Sequence, residues 1–129
     1  MSNEDDSLRS PLGRARFLGS ARSGTTAAWL THVTAVALVP LSLGFVWLLL
    51  DLLHKDYAGV RAEIGRPVPA TLLLAFILAG VAHMELGMRS IIVDYVEGHG
   101  RVWALVANAC FAALLAIACL YATLRVAFT

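Results

Sequence analysis

GVAHMELGMRSIIVDY, residues Gly80 to Tyr95, decides how this chain is read. It continues the apolar run ATLLLAFILAGVA (70–82) without a break, so it is expected to be helical and at least half immersed in a bilayer. Yet it carries His83, Glu85, Arg89 and Asp94. Ionisable groups at membrane depth are costly and usually face a cavity, a partner or a cofactor. On a helix His83, Gly87, Ser90 and Asp94 fall on one stripe. His83 and Asp94 then stand roughly 16 Å apart along the axis. One face presents a nitrogen donor near mid-membrane and a carboxylate near one surface. Gly80 and Gly87 bracket His83 by about a turn on either side, and bare backbone there admits a large flat group.

The whole chain agrees with an immersed reading. It has 129 residues, 59% of them hydrophobic and 15% charged, and a mean hydropathy of +0.74. A water-soluble domain of this length cannot hide that much apolar surface. The class is an all-α integral membrane protein. Three transmembrane helices are expected at about 30–51, 69–95 and 102–127, following a polar tail over 1–28 and forming one anchor unit over 29–129. A formal net charge of +1 leaves no basic surface for a nucleic acid. Cys110 and Cys119 read as small packing residues.

The tail carries an acidic cluster, Glu4, Asp5 and Asp6, then Arg9, Arg14, Arg16 and Arg22. Composition leaves disorder and docking on a partner both open. In the first span Val33 to Leu50 has no charge, Trp29 suits the interface, and Pro40 interrupts the middle. His32 is expected just inside the boundary, about three turns from the level of His83. Asp51 to Pro67 reads as a polar loop, and Pro67 and Pro69 suit the first turn of the second helix. Glu85 and Arg89 have the spacing and order of an intrahelical ion pair. VEGHGR (96–101) is a short turn that places His99 in a loop. In the third span Ala109, Ala112, Ala113 and Ala116 give small-residue spacing for close helix approach. The arginine-rich tail and Arg101 favour a cytoplasmic N-terminus.

A lone intramembrane histidine has three physical readings: a packed core residue, a proton relay, or a ligand to metal or haem. An axial haem ligand needs a neutral imidazole, an apolar slot and an acceptor for its other ring nitrogen. The chain visibly supplies the first two. No second histidine is expected at the depth of His83, so if two histidines hold haem the other comes from a different polypeptide or a second copy of this chain. Asp94 and Tyr95 sit where an amphiphilic headgroup rests, and a tyrosine hydroxyl can donate to a quinone carbonyl. Asp94 at a helix C-terminus opposes the dipole and needs compensation.

HMELGMRSIIVDYVEG (83–98) resembles the His-x-x-x-Gly…Asp-Tyr-Val segment of the small hydrophobic anchor subunit of succinate dehydrogenase, the D-type chain. HVTAVALVPLSLG (32–44) resembles the start of that family's first helix, and PLGRARFLGSARSGT (11–25) the tail of alphaproteobacterial members. The resemblance implies half of a heterodimeric haem-binding bundle in the bacterial inner membrane. Its partners would be a second anchor chain of cytochrome b556 type, an iron–sulfur subunit and a flavoprotein subunit. Haem b would lie between the anchors with His83 as one axial ligand and Gly80, Gly87 and His32 nearby. Tyr95 would hydrogen-bond ubiquinone, and Asp94 would steady that site. The chain would carry no catalytic residue alone, serving as a subunit of an enzyme that passes electrons from succinate to ubiquinone. One departure stands out: many relatives have an arginine, expected near a haem propionate, where this chain has His32. Competing readings are a small proton-coupled transporter using Glu85 and a haem-free structural anchor.

Overall fold

A computed structural model describes residues 21–128, with side chains described from Thr25 onward. The described residues form four helices: α1, Ala21–Leu52; α2, Tyr57–Ile64; α3, Pro67–Tyr95; and α4, His99–Phe128. No strand occurs among the described residues. Three of the helices are long and apolar enough to cross a membrane, as the hydropathy pattern requires. The acidic cluster and Arg9, Arg14 and Arg16 lie outside the described residues.

The boundaries differ from expectation in three places. α1 begins at Ala21 rather than near residue 30, so the end of the nominal tail is helical. Pro40 lies inside α1 without ending it. A proline costs an internal helix one N–H bond, which a membrane helix tolerates where neighbours satisfy the freed carbonyl. The polar loop holds a helix of its own, α2. Its N-cap Asp56 accepts from the Gly59 backbone N–H at 2.9 Å, a bond that satisfies one of the orphan donors of a first turn. α4 starts at His99, which is therefore helical. The turn before it needs Gly98, at φ +64°, a conformation glycine adopts without a Cβ clash.

α3 is the middle element. It packs against α1 on one side and α4 on the other, while α1 and α4 do not meet. The seam with α1 is tight at its lower half. The Phe45 and Phe76 rings stack with centroids 4.5 Å apart, and a Cβ added to Gly44 would sit 2.9 Å from Leu72. Small residues let membrane helices approach in this way. The seam with α4 is built by Asn108 and Ala112, both buried. Ala109 and Ala113 are exposed, so the small-residue face that packs inside the chain is the neighbouring one. Three helices in a row bury little: Leu48, Ile92 and Ala112 are the buried hydrophobics among the described residues. Both broad faces stay open.

Candidate functional site

The deep polar residues meet at the α1–α3 seam. Thr34, one turn and a half before Pro40, points from α1 to α3. Its Oγ1 lies 3.0 Å from Nδ1 of His83. The same hydroxyl lies 2.9 Å from the Leu30 carbonyl and 3.0 Å from that of Thr31.

These three distances fix how the proton is shared. A hydroxyl has one hydrogen and two acceptor lone pairs, and neutral imidazole has one N–H. If Oγ1–H donates to a helix carbonyl, Nδ1–H can donate to Oγ1, and two hydrogen bonds form in series. Only the Nε2 lone pair then lacks a partner. If Oγ1–H donates to Nδ1 instead, one bond is lost and an Nε2–H donor is left bare in an apolar setting. Leaving a donor unmade there costs on the order of 1–3 kcal/mol. The first arrangement wins: His83 is held as the Nδ1–H tautomer, and the Nε2 lone pair has no partner among the described residues.

The surroundings of that nitrogen fit a flat ligand. His83 is half-buried. A Cβ added to Gly87 meets nothing within 4 Å, whereas one added to Gly80 would just touch Leu38 at 4.0 Å. Gly87 therefore borders open space, and Gly80 serves the α1 contact. Among the described residues no three His, Cys, Asp or Glu side chains converge on a metal ion. A single nitrogen donor beside the open space at Gly87 leaves room for a flat group.

His32 proves closer in depth than its sequence position implies. Thr34 is level with His83, and His32 precedes it by two residues, roughly 3 Å along the axis. It is exposed, with Nδ1 donating to the Ala28 carbonyl at 2.7 Å. Residues two apart point to nearly opposite sides of a helix, so His32 turns away from the Thr34–His83 bond. It shares the depth of His83 without sharing its side of α1.

At the other end of the stripe Asp94 and Tyr95 are both exposed, Tyr95 at 83%. Neither has a hydrogen-bonding or ionic partner among the described residues. Arg101, across the turn, donates Nε–H to the Val96 carbonyl at 2.8 Å. It does not compensate Asp94. The expected Glu85–Arg89 pair does not form either. Ion pairs among the described residues are confined to Asp51, Lys55, Glu63 and Arg66. Spacing permits an i,i+4 pair that this helix does not make, and Arg89 is exposed.

Two site residues escaped the sequence reading. Thr34 is an ordinary threonine in an apolar run, and its partner is 49 residues away. Asn108 is buried at 9% exposure, and its Nδ2 donates to the Glu85 carbonyl at 3.1 Å. An asparagine within an apolar span was the available signal, because an amide in lipid needs a partner. That bond locks α4 to α3 two residues from His83.

The chain matches the family model of the succinate dehydrogenase/fumarate reductase transmembrane subunit over residues 6–124. It is 33% identical over 115 residues to the succinate dehydrogenase hydrophobic membrane anchor subunit of Paracoccus denitrificans, covering 89% of each chain. It is 31% identical over 90 residues to the subunit of the same name from Rickettsia bellii, covering 70% of this chain and 72% of that one. The Rickettsia conorii subunit is 28% identical over 93 residues, covering 71% and 74%. No solved structure matches.

Proposed function

This chain belongs to the succinate dehydrogenase/fumarate reductase transmembrane-subunit family, and from that premise we propose that it anchors a succinate:ubiquinone oxidoreductase in the bacterial inner membrane. It tethers the iron–sulfur and flavoprotein subunits on the cytoplasmic side, where its N-terminus lies. It pairs with a second anchor chain, which supplies what this one lacks. The open faces of the three-helix row support such a pairing. Exposed apolar surface on that scale is lipid-facing or partner-facing.

His83 would hold haem b through Nε2, with a further nitrogen ligand from the partner anchor. The single observation that carries this assignment is the Nδ1–Thr34 hydrogen bond, which frees Nε2 and aims it. A hydrogen bond from Nδ1–H raises the basicity of Nε2 and restricts ring rotation. Haem, when bound, supplies a one-electron redox centre at mid-membrane. The work of this chain is to orient the imidazole, exclude water from it with the α1–α3 seam, and leave space beside Gly87.

Tyr95 and Asp94 form this chain's share of the ubiquinone site, roughly 16 Å along α3 from His83. The Tyr95 hydroxyl donates to a quinone carbonyl oxygen, withdrawing charge from it as electrons arrive. Asp94 opposes the C-terminal dipole of α3 and attracts a cation from a partner subunit, which closes the site. The remaining walls are the partners'.

The test is a visible spectrum of the purified multi-subunit complex. The wild type is expected to show a Soret band that His83→Ala abolishes, with the subunits still co-purifying. A Soret band unchanged in His83→Ala contradicts the haem assignment.

A further inference from the structure

The end of the molecule opposite Tyr95 carries a pocket that the redox reading does not use. It has a volume of about 430 Å³ and is lined by Tyr57 and Arg61 of α2 and by Tyr121, Ala122, Arg125 and Val126 of α4. The cations of this end divide into two groups. Lys55 is neutralised by Asp51 and Glu63, and Arg66 by Glu63. Arg61 and Arg125 have no carboxylate partner among the described residues. Arg61 instead lies over the Tyr57 ring, 5.8 Å from its centroid. Both unpaired guanidiniums line the same pocket, with two phenols beside them and an apolar floor.

We propose that this pocket binds the phosphate of a membrane lipid with a net negative headgroup. Guanidinium groups bind phosphate oxygens in bidentate fashion, and phenolic O–H groups add donors. The pocket's height on the molecule suits a headgroup. α4 has 30 residues and so spans roughly 45 Å, against a hydrocarbon core of about 30 Å. Shared between its two ends, the excess puts about the last five residues, with Arg125, in the headgroup layer and Tyr121 just below it, at the interface where tyrosine and arginine concentrate. Ala122 and Val126 give the pocket an apolar lining that an acyl chain can cover and a free phosphate would not use. Two positive charges with no carboxylate partner among the described residues disfavour a zwitterionic lipid, whose own ammonium they repel. The site is independent of the haem assignment.

The test uses the intact complex, delipidated and re-offered phosphatidylglycerol, phosphatidylcholine or inorganic phosphate, with retained lipid counted by native mass spectrometry. Phosphatidylglycerol is expected to be retained over phosphatidylcholine, and millimolar inorganic phosphate should not displace it. Arg61→Gln and Arg125→Gln should each weaken retention about fivefold, and the pair about thirtyfold. Arg61→Lys with Arg125→Lys keeps the charge and loses the bidentate fork, so it should retain more lipid than the double glutamine variant and less than the wild type, which guards against a double glutamine variant that fails to assemble. Arg66→Gln, already paired with Glu63, should leave it unchanged. Equal retention of both lipids, full retention by the glutamine variants, or displacement by phosphate overturns the proposal.

Discussion

The two ends of the chain treat their polar groups differently. At the α2 end, Asp51, Lys55, Glu63 and Arg66 satisfy one another through side chains of the same polypeptide. At the other end and in the middle, Asp94, Tyr95 and the Nε2 of His83 are left open. The first group is closed chemistry that holds a loop helix in place. The second is half of something. Polar atoms near or within lipid that their own chain leaves unpartnered mark where another molecule sits. The unpaired Arg61 and Arg125 are the exception that sharpens the rule, because they too gather at one pocket.

Breaking the open group should cost function, and breaking the closed group only stability. After loss of the axial nitrogen itself, the largest effect is expected at Thr34. Thr34→Val keeps shape and removes the acceptor for Nδ1–H. Haem retention should fall by about 10–100-fold, the usual cost of removing such a supporting bond. The haem reduction potential should rise as Nε2 becomes less basic. Thr34→Ser should restore both. Unchanged potential and haem content in Thr34→Val would remove Thr34 from the account while leaving His83 in it.

Next comes Tyr95→Phe, which removes one donor at the quinone. Ubiquinone reduction should drop about fivefold, the worth of a hydrogen bond near 1 kcal/mol. Succinate oxidation by an artificial acceptor should survive. Equal loss of both activities would count against Tyr95 at the quinone. Asn108→Ala should lower the thermal stability of the complex by about 0.6 kcal/mol, typical of an interhelical bond in lipid. Its haem spectrum should stay intact.

The smallest effect belongs to the closed end. The hydrogen bond from Lys55 holds the Glu63 carboxyl below its ordinary range. The bond to Asp51, followed by that to Glu63, pushes the Lys55 ammonium above its own. A depressed carboxylate contributes stability above its unfolded value of 4.5 and loses it as pH falls through the lower folded value. A raised ammonium contributes below 10.5 and loses it as pH rises through the higher folded value. α2 docking, followed by proteolysis between Leu53 and Arg66, should therefore be flat between these limits and loosen outside them. The solvent exposure of the network keeps the change small.

The spans were legible because burying apolar side chains in lipid depends on local composition, and Val33–Leu50 or Leu72–Ala82 can do nothing else. The stripe from His83 to Asp94 was legible because helical periodicity is local. α2 was not, because eight residues with a glycine inside carry too little periodic signal against a polar background. Thr34 was invisible for a different reason: its meaning depends on a residue in another helix. Glu85 and Arg89 show the converse, a correct spacing that the fold leaves unused. Of the four alanines with small-residue spacing, Ala112 is buried beside Asn108 whereas Ala109 and Ala113 are exposed, because spacing alone does not say which of two neighbouring stripes of α4 faces α3.

The most direct test of the central claim is an experimental map of the assembled complex at a resolution that shows side chains. The account predicts iron within coordination distance of Nε2 of His83, with Nδ1 still bonded to the Thr34 hydroxyl and a second nitrogen arriving from another chain. Hydrocarbon alone beside His83, or coordination through Nδ1 with Thr34 turned away, would contradict it.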